Sequence, residues 1–204
     1  MALFEHQIIS LPLESSESTA DMLFFPHFLG CTEADNLLKK SIDDLPWRAD
    51  RIKMFGREIP VPRLQNWYAD RLNTSYTYSG IKLSAVLFPD WLNHLREIVQ
   101  TRSNYPFNRA LANYYRDGND SMDWHADDEI ELGPDPVIAS LSLGAERTFQ
   151  LRHNETKEKV SINLPHGSLL VMGPKIQTFW KHRIAKVRGM HEPRVNFTFR
   201  FMDN

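Results

Sequence analysis

The chain is short of several things that would assign it to a class at once. Cys31 is the only cysteine in 204 residues, which excludes an internal disulfide framework and a cysteine-rich zinc or iron–sulfur site. No apolar run approaches the length of a membrane span. Met1-Ala2-Leu3-Phe4-Glu5 lacks the charged and apolar regions of a signal peptide. The expectation is an intracellular protein that is not secreted and has no membrane partner: cytoplasmic in a bacterium, nuclear in a eukaryote. A large charge of one sign is missing too. At a net charge of −2 the protein does not hold a polyanion by bulk attraction. No repeat, low-complexity segment or Gly/Ser-rich linker divides it. What remains, 42% apolar and 25% charged, is the composition of one globular domain.

The near-zero total hides an uneven distribution. Residues 1–47 carry a net −6, residues 117–135 a net −8 with no Lys or Arg, and residues 175–200 a net +6. Six further basic residues fall within 48–71. Charge runs are usually solvated faces. A block of acids without counter-charges is nonetheless costly unless a cation or donor network balances it. The two basic stretches could grip phosphates locally.

Apolar residues at helical spacing predict helices over 32–45, with Thr32 as N-cap, and over 89–99, opened by Pro89. Beyond residue 107 the period changes to two. Strands are predicted at 108–116, 136–143, 147–152, 158–164, 168–172 and 194–201, separated by turn signals such as Asp117-Gly118 and Gly173-Pro174. Helices followed by many short antiparallel strands predict an α+β fold, a jelly-roll barrel with the N-terminal helices packed on one sheet. Residues 1–25 read as a loosely held arm, and 26–204 as a single domain.

The last strand is the most informative. Val195, Phe197, Phe199 and Phe201 share one face; Arg194, Asn196, Thr198 and Arg200 share the other. On a half-exposed strand this would be ordinary. Inside a barrel, two guanidiniums need anionic partners, because an unpaired buried charge costs several kcal/mol. They sit six residues apart, roughly 20 Å on an ideal strand, so each would hold one end of a site or an acidic side chain. Upstream, His125-Ala126-Asp127 projects an imidazole and a carboxylate to the same side of an extended backbone. Two histidines and one carboxylate form the open site of non-haem iron oxygenases. The third ligand must come from elsewhere, with His182 the first choice and His191 the second; His153 and His166 sit in turn-like contexts. A hydrolytic zinc site would leave the two arginines unexplained.

Together, Val61-Pro62-Arg63, Tyr76-Thr77-Tyr78-Ser79-Gly80, Asn113-Tyr114-Tyr115-Arg116-Asp117-Gly118, His125-Ala126-Asp127-Asp128-Glu129, His182 and the 194–200 strand resemble the AlkB family of iron(II)/2-oxoglutarate dioxygenases. The resemblance is closest to the DNA-repair branch containing animal homologues two and three, and covers residue 61 to the end. It implies a double-stranded β-helix, with a nucleotide-recognition region over about 48–85 and a catalytic barrel over about 107–204. Implied iron ligands are His125, Asp127 and His182. Asn113, Tyr115, Arg194, Asn196 and Arg200 would surround 2-oxoglutarate, with Arg194 on its far carboxylate and Arg200 near the carboxylate that chelates iron. Oxygen is the other co-substrate.

The implied reaction is oxidative demethylation of alkylated DNA bases of the 1-methyladenine and 3-methylcytosine type, releasing formaldehyde and succinate. RNA or a non-nucleic-acid substrate is the alternative, and a catalytically silent binding barrel a third reading. Such lesions are cationic, so Asp128 and Glu129 would favour them while accepting hydrogen bonds from the exocyclic amine. Tyr78 would stack on the flipped base opposite the His125 ring. Met54 and Phe55 would form a wedge. Arg63, with Arg183, Lys186 and Arg188, would contact phosphates. The expected unit is a monomer.

Overall fold

The alternation of the Arg194–Arg200 strand organises the whole molecule. The computed structural model describes residues 5–13, 18–54, 57–71, 75–78 and 81–202, at 52–54, 57, 75–78 and 81–84 the backbone only. In chain order the elements are β1 Gln7–Pro12, β2 Thr19–Phe25, α1 Cys31–Asp44, β3 Arg51–Met54, β4 Arg57–Pro60, β5 Leu64–Ala69, β6 Ser75–Tyr78, β7 Ile81–Ser84 and β8 Val86–Leu87. There follow α2 Asp90–Ser103, β9 Arg109–Tyr115, β10 Met122–His125, a 3-10 turn Ile130–Leu132, β11 Ile138–Gly144, β12 Arg147–His153 and β13 Lys159–Leu164. The chain ends with β14 Ser168–Met172, α3 Ile176–Phe179, β15 Trp180–Ile184 and β16 Arg194–Arg200.

Two sheets face each other. The large one runs β1-β2-β14-β11-β16-β9-β5-β8 and the small one β10-β15-β12-β13. From β9 to β16 successive strands alternate between the two sheets except at the β12-β13 hairpin, which stays within the small one, and this is the jelly-roll winding the sequence pattern predicts. Central β16 is buried on both faces, so its two sets of side chains enter two different cores. Val195, Phe197 and Phe199 point outward, under α1 and α2. There Trp91 meets Phe197 edge-on at 6.1 Å and Phe107 meets Phe199 at 6.3 Å. The apolar stripes Ala34, Leu37, Leu38 and Ile42 of α1 and Leu92, Leu95 and Val99 of α2 complete that layer. Each fully buried Phe or Leu contributes about 1.5–3 kcal/mol. The opposite face of β16 turns its polar side chains into the space between the sheets.

Three expectations are corrected. The stretch read as a loose arm contains β1 and β2. β2 pairs with β14 from Phe25↔Leu169 to Met22↔Met172, extending the large sheet, and Leu11 and Met22 are buried. Along β2 the buried Ala20 and Met22 flank the exposed Asp21. The α1 N-cap is Gly30, not Thr32, and no side chain caps it. Phe201 lies past the end of β16 and is 42% exposed, so it does not share the core face. Within 48–85 the hairpins β3-β4 and β6-β7 stand apart from the two sheets. Among the described residues no helix is long and apolar enough to cross a membrane.

Candidate metal and co-substrate site

The β10-β15 pairing places the three expected ligands together. His125, last residue of β10, lies directly across from His182 in β15, and their rings are 4.2 Å apart. Asp127 follows two residues later. One donor atom from each of the three lies within 4.8 Å of the others, a grouping of metal-ligating side chains with no second instance among the described residues.

Each ligand is held from behind. His125 Nδ1 is 2.8 Å from the Asp123 carbonyl oxygen; donating there, it leaves Nε2 with a free lone pair, 3.9 Å from Asp127 Oδ1. The Asp127 backbone N–H donates to Gln177 Oε1 at 3.0 Å, and Arg200 Nη2 approaches its carboxylate at 2.8 Å. Phe149 stacks on His182 at 5.0 Å, and His182 Nδ1 is buried without a hydrogen-bond partner. Burial alone would raise the Asp127 carboxyl; Arg200 and the two imidazoles hold it at about 2 instead. Burial, then the neighbouring His125, pushes His182 down to about 3, and burial lowers His125 as well. The cluster at neutral pH is one carboxylate and two neutral imidazoles. That is the protonation state a divalent metal requires. Nitrogen and oxygen donors in this ratio fit iron(II).

The antiparallel register of β16 with β9 and β11 builds the rest. Arg194 pairs with Tyr115, and Asn196 with Asn113 on one side and Ser142 on the other. Arg194 lies over the Tyr115 ring at 5.0 Å and donates from Nη2 to Ser142 Oγ at 2.9 Å. Its Nε and Nη1 are buried without partners. Burial, with Arg147 nearby, lowers its pKa to about 10, leaving it a cation at pH 7. A buried cation with unused donors and no carboxylate fits the far carboxylate of a dicarboxylic acid. Asn196 Nδ2 donates to Ser140 Oγ and the Leu141 carbonyl, both at 2.9 Å, and its Oδ1 accepts from Thr198 Oγ1 at 3.0 Å. The cavity between the metal cluster and Arg194 is also lined by Asn113, Asn196 and Arg200.

All eight residues expected to hold metal or co-substrate therefore border one cavity. His191 is exposed and apart from it. Arg63 is a correction. It is 5% exposed, with Nε donating to Asn113 Oδ1 at 2.8 Å and Nη2 facing Gln65 Oε1 at 3.4 Å. Turned inward, it orients Asn113 and has no phosphate to reach. Asp128 is exposed and Glu129 half-buried at the start of the 3-10 turn; Lys186 and Arg188 are exposed. Phe55 and the side chains of Met54 and Tyr78 lie outside the described residues. Sequence reasoning missed Ser140, Ser142, Phe149, Gln177 and Thr198. Only Thr198 carried a signal, the shared face of β16.

Residues 21–200 match the 2OG-Fe(II) oxygenase superfamily. The chain is 39% identical over 201 residues to alpha-ketoglutarate-dependent dioxygenase alkB homolog 3 of Mus musculus, covering 91% of this chain and 68% of that protein. It is 37% identical over 182 residues to the DNA oxidative demethylase ALKBH2 of Homo sapiens, covering 84% and 69%. This chain thus spans about two thirds of the length of those relatives. Its fold matches a solved structure described as "The structure of OsALKBH1" with a TM-score of 0.61 at 15% identity, over 88% of this chain and 97% of that one. The chain belongs to the 2OG-Fe(II) oxygenases, in their AlkB branch. It is a dioxygenase that uses iron(II), 2-oxoglutarate and oxygen.

Proposed function

We propose that the protein repairs alkylated nucleic acid by oxidative demethylation of bases of the 1-methyladenine and 3-methylcytosine type, in DNA first. The carrying observation is the buried His125, Asp127 and His182 cluster facing an Arg194 with unused donors across one cavity. The printed names of the mouse and human relatives supply the substrate class.

Iron(II) with 2-oxoglutarate and oxygen supplies the oxidation of an unactivated C–H bond. The chain's own residues do the rest. His125, Asp127 and His182 hold the metal. Arg194, with Ser142 and Tyr115 behind it, takes the far carboxylate of the co-substrate, and Asn113 and Asn196 border its path. Arg200 keeps Asp127 ionised and in place. Apolar walls from Leu111, Phe149 and Ile184 exclude water from the reacting carbon. One oxygen atom enters the N-methyl group and the other the succinate formed as 2-oxoglutarate loses carbon dioxide; the cationic N-hydroxymethyl base then loses formaldehyde and a proton, which restores the lone pair of the ring nitrogen. Asp128 and Glu129, at the rim, favour a base that carries positive charge. Tyr78 stacks on that base, and Met54 and Phe55 fill the gap it leaves. A monomer inside the cell suits this task, and the single cysteine suits a reducing compartment.

The test is formaldehyde release from a panel of oligonucleotides, each with one defined methylated base. Turnover on methylated DNA is expected. Turnover confined to RNA, or to no nucleic acid, would overturn the reading.

A further inference from the structure

Two buried cations sit around one aromatic ring beside the co-substrate cavity, and the site described above uses only one of them. Arg147, the first residue of β12, is buried and lies 5.7 Å from the centre of the Tyr115 ring, over which Arg194 lies at 5.0 Å. The two guanidiniums are therefore at most about 11 Å apart, the sum of those distances. β12 belongs to the small sheet and β9, which ends at Tyr115, to the large one, so Arg147 reaches from one sheet to the other. Tyr115 and Arg194 border the cavity, and Arg147 does not.

The charge of Arg147 is left uncancelled. Its partners are neutral carbonyl oxygens: Nη2 donates to those of Asp120, at 2.9 Å, and Ala185, and Nη1 faces that of Asp117 at 3.4 Å. Its Nε is buried without a hydrogen-bond partner. The Asp120 carboxylate is taken by Arg116, which donates to it from Nε and Nη2 at 2.8 Å and from its backbone amide at 2.9 Å. The Asp117 carboxylate accepts from the Asn119 amide at 2.7 Å. Among the described residues neither Arg147 nor Arg194 joins an ion pair. Carbonyl dipoles solvate a guanidinium without removing its charge. Two such cations held close together out of water repel each other, and a carboxylate arriving at Arg194 relieves both.

We propose that Arg147 is a positioning residue for the co-substrate, a second cation beside Tyr115 whose field selects a keto acid with a carboxylate at its far end; the role rests on that carboxylate lying at Arg194. Arg194 supplies the direct hydrogen bonds. Arg147 supplies charge without contact and holds the ring on which both cations lie.

The test compares 2-oxoglutarate with 2-oxopentanoate, in which a methyl group replaces the far carboxylate and the chelating end is unchanged. Each is titrated into the iron(II)-loaded protein without oxygen, and binding is read from the visible charge-transfer absorption. Arg147→Gln removes the charge and keeps donors for the carbonyls. It should weaken 2-oxoglutarate about tenfold, the effect of one charge at about 10 Å with an effective dielectric constant of about 20, and leave 2-oxopentanoate unchanged. Arg147→Lys keeps the charge without the planar fork, so the ratio of the two affinities should stay at the parent value even where the melting temperature falls. Equal weakening of both keto acids in Arg147→Gln would overturn the proposal, because Arg147 would then be a brace for the fold alone. So would 2-oxoglutarate affinity that does not change, or a ratio that falls in Arg147→Lys as far as in Arg147→Gln. Where Arg147→Gln does not fold, Arg147→Lys decides: the parent ratio supports the role and a lowered ratio removes it. A parent protein that binds both keto acids equally would overturn the placement of the far carboxylate at Arg194 first, and the role of Arg147 with it.

Discussion

Arg200 Nη2 lies 2.8 Å from Asp127 Oδ1, with both side chains sealed from solvent at the inner end of β16. The pair ties the strand carrying the co-substrate arginine to the loop carrying the acidic metal ligand. Removing one partner of a buried pair leaves the other uncompensated, typically at about 3–5 kcal/mol. Arg200→Gln should therefore destabilise the metal-free protein by about that amount, and a bound divalent ion, which supplies positive charge to Asp127, should restore part of the loss. Thermal denaturation with and without manganese(II) checks this. Equal melting temperatures for variant and parent would contradict it.

Arg194 behaves in the opposite way. It has buried donors without partners, so Arg194→Met should leave stability unchanged or raise it. The same change should weaken 2-oxoglutarate binding about 10- to 100-fold, on a loss of about 1.5–3 kcal/mol for charged hydrogen bonds. Oligonucleotide affinity should not move. Calorimetric titration of both ligands separates the two effects, and an unaltered co-substrate affinity would remove Arg194 from that role.

The acid limb of stability has a defined sign. Burial, then His125, lowers His182 from 6.5 to about 3 in the folded chain. In the metal-free protein the unfolded state therefore binds the extra proton between those values. That part of the stability is complete above about pH 6.5 and is lost as pH falls toward 3. Denaturant titrations of the metal-free protein from neutral pH downward should show the decline. His182→Asn should flatten it, and an equally steep limb in the variant would assign the decline to other groups.

At the rim, Glu129→Gln should lower kcat/KM for a cationic methylated base more than Asp128→Asn does, because Glu129 is half-buried and Asp128 exposed. Equal losses from the two variants, measured on the same oligonucleotide, would contradict the distinction.

Much of this site could be read from the chain because it rests on local periodicity. The alternation of β16 put Arg194, Asn196, Thr198 and Arg200 on one face, and the two-residue spacing of His125 and Asp127 brought both to one site, His125 from the end of β10 and Asp127 from the loop after it. The choice between His182 and His191 could not be made from spacing, since it depends on β15 lying beside β10 across a long stretch of intervening chain. Gln177 left no trace at all: its partner, the Asp127 amide, is 50 positions away. Arg63 misled for a related reason. A basic residue in a basic stretch looks like surface, and only the β5-β9 pairing brings it under Asn113. The N-terminal strands were overlooked because they are short and their pairing partner β14 lies more than 140 positions along the chain.

The most direct test of the central claim is an anaerobic titration of iron(II) into the protein with 2-oxoglutarate, followed by visible absorption. The cluster and Arg194 should together produce a metal-to-ligand charge-transfer band that saturates at one iron and one 2-oxoglutarate per chain. Asp127→Ala should abolish the band while the protein remains folded. A parent protein that binds no iron, or a band that survives in Asp127→Ala, would contradict the account.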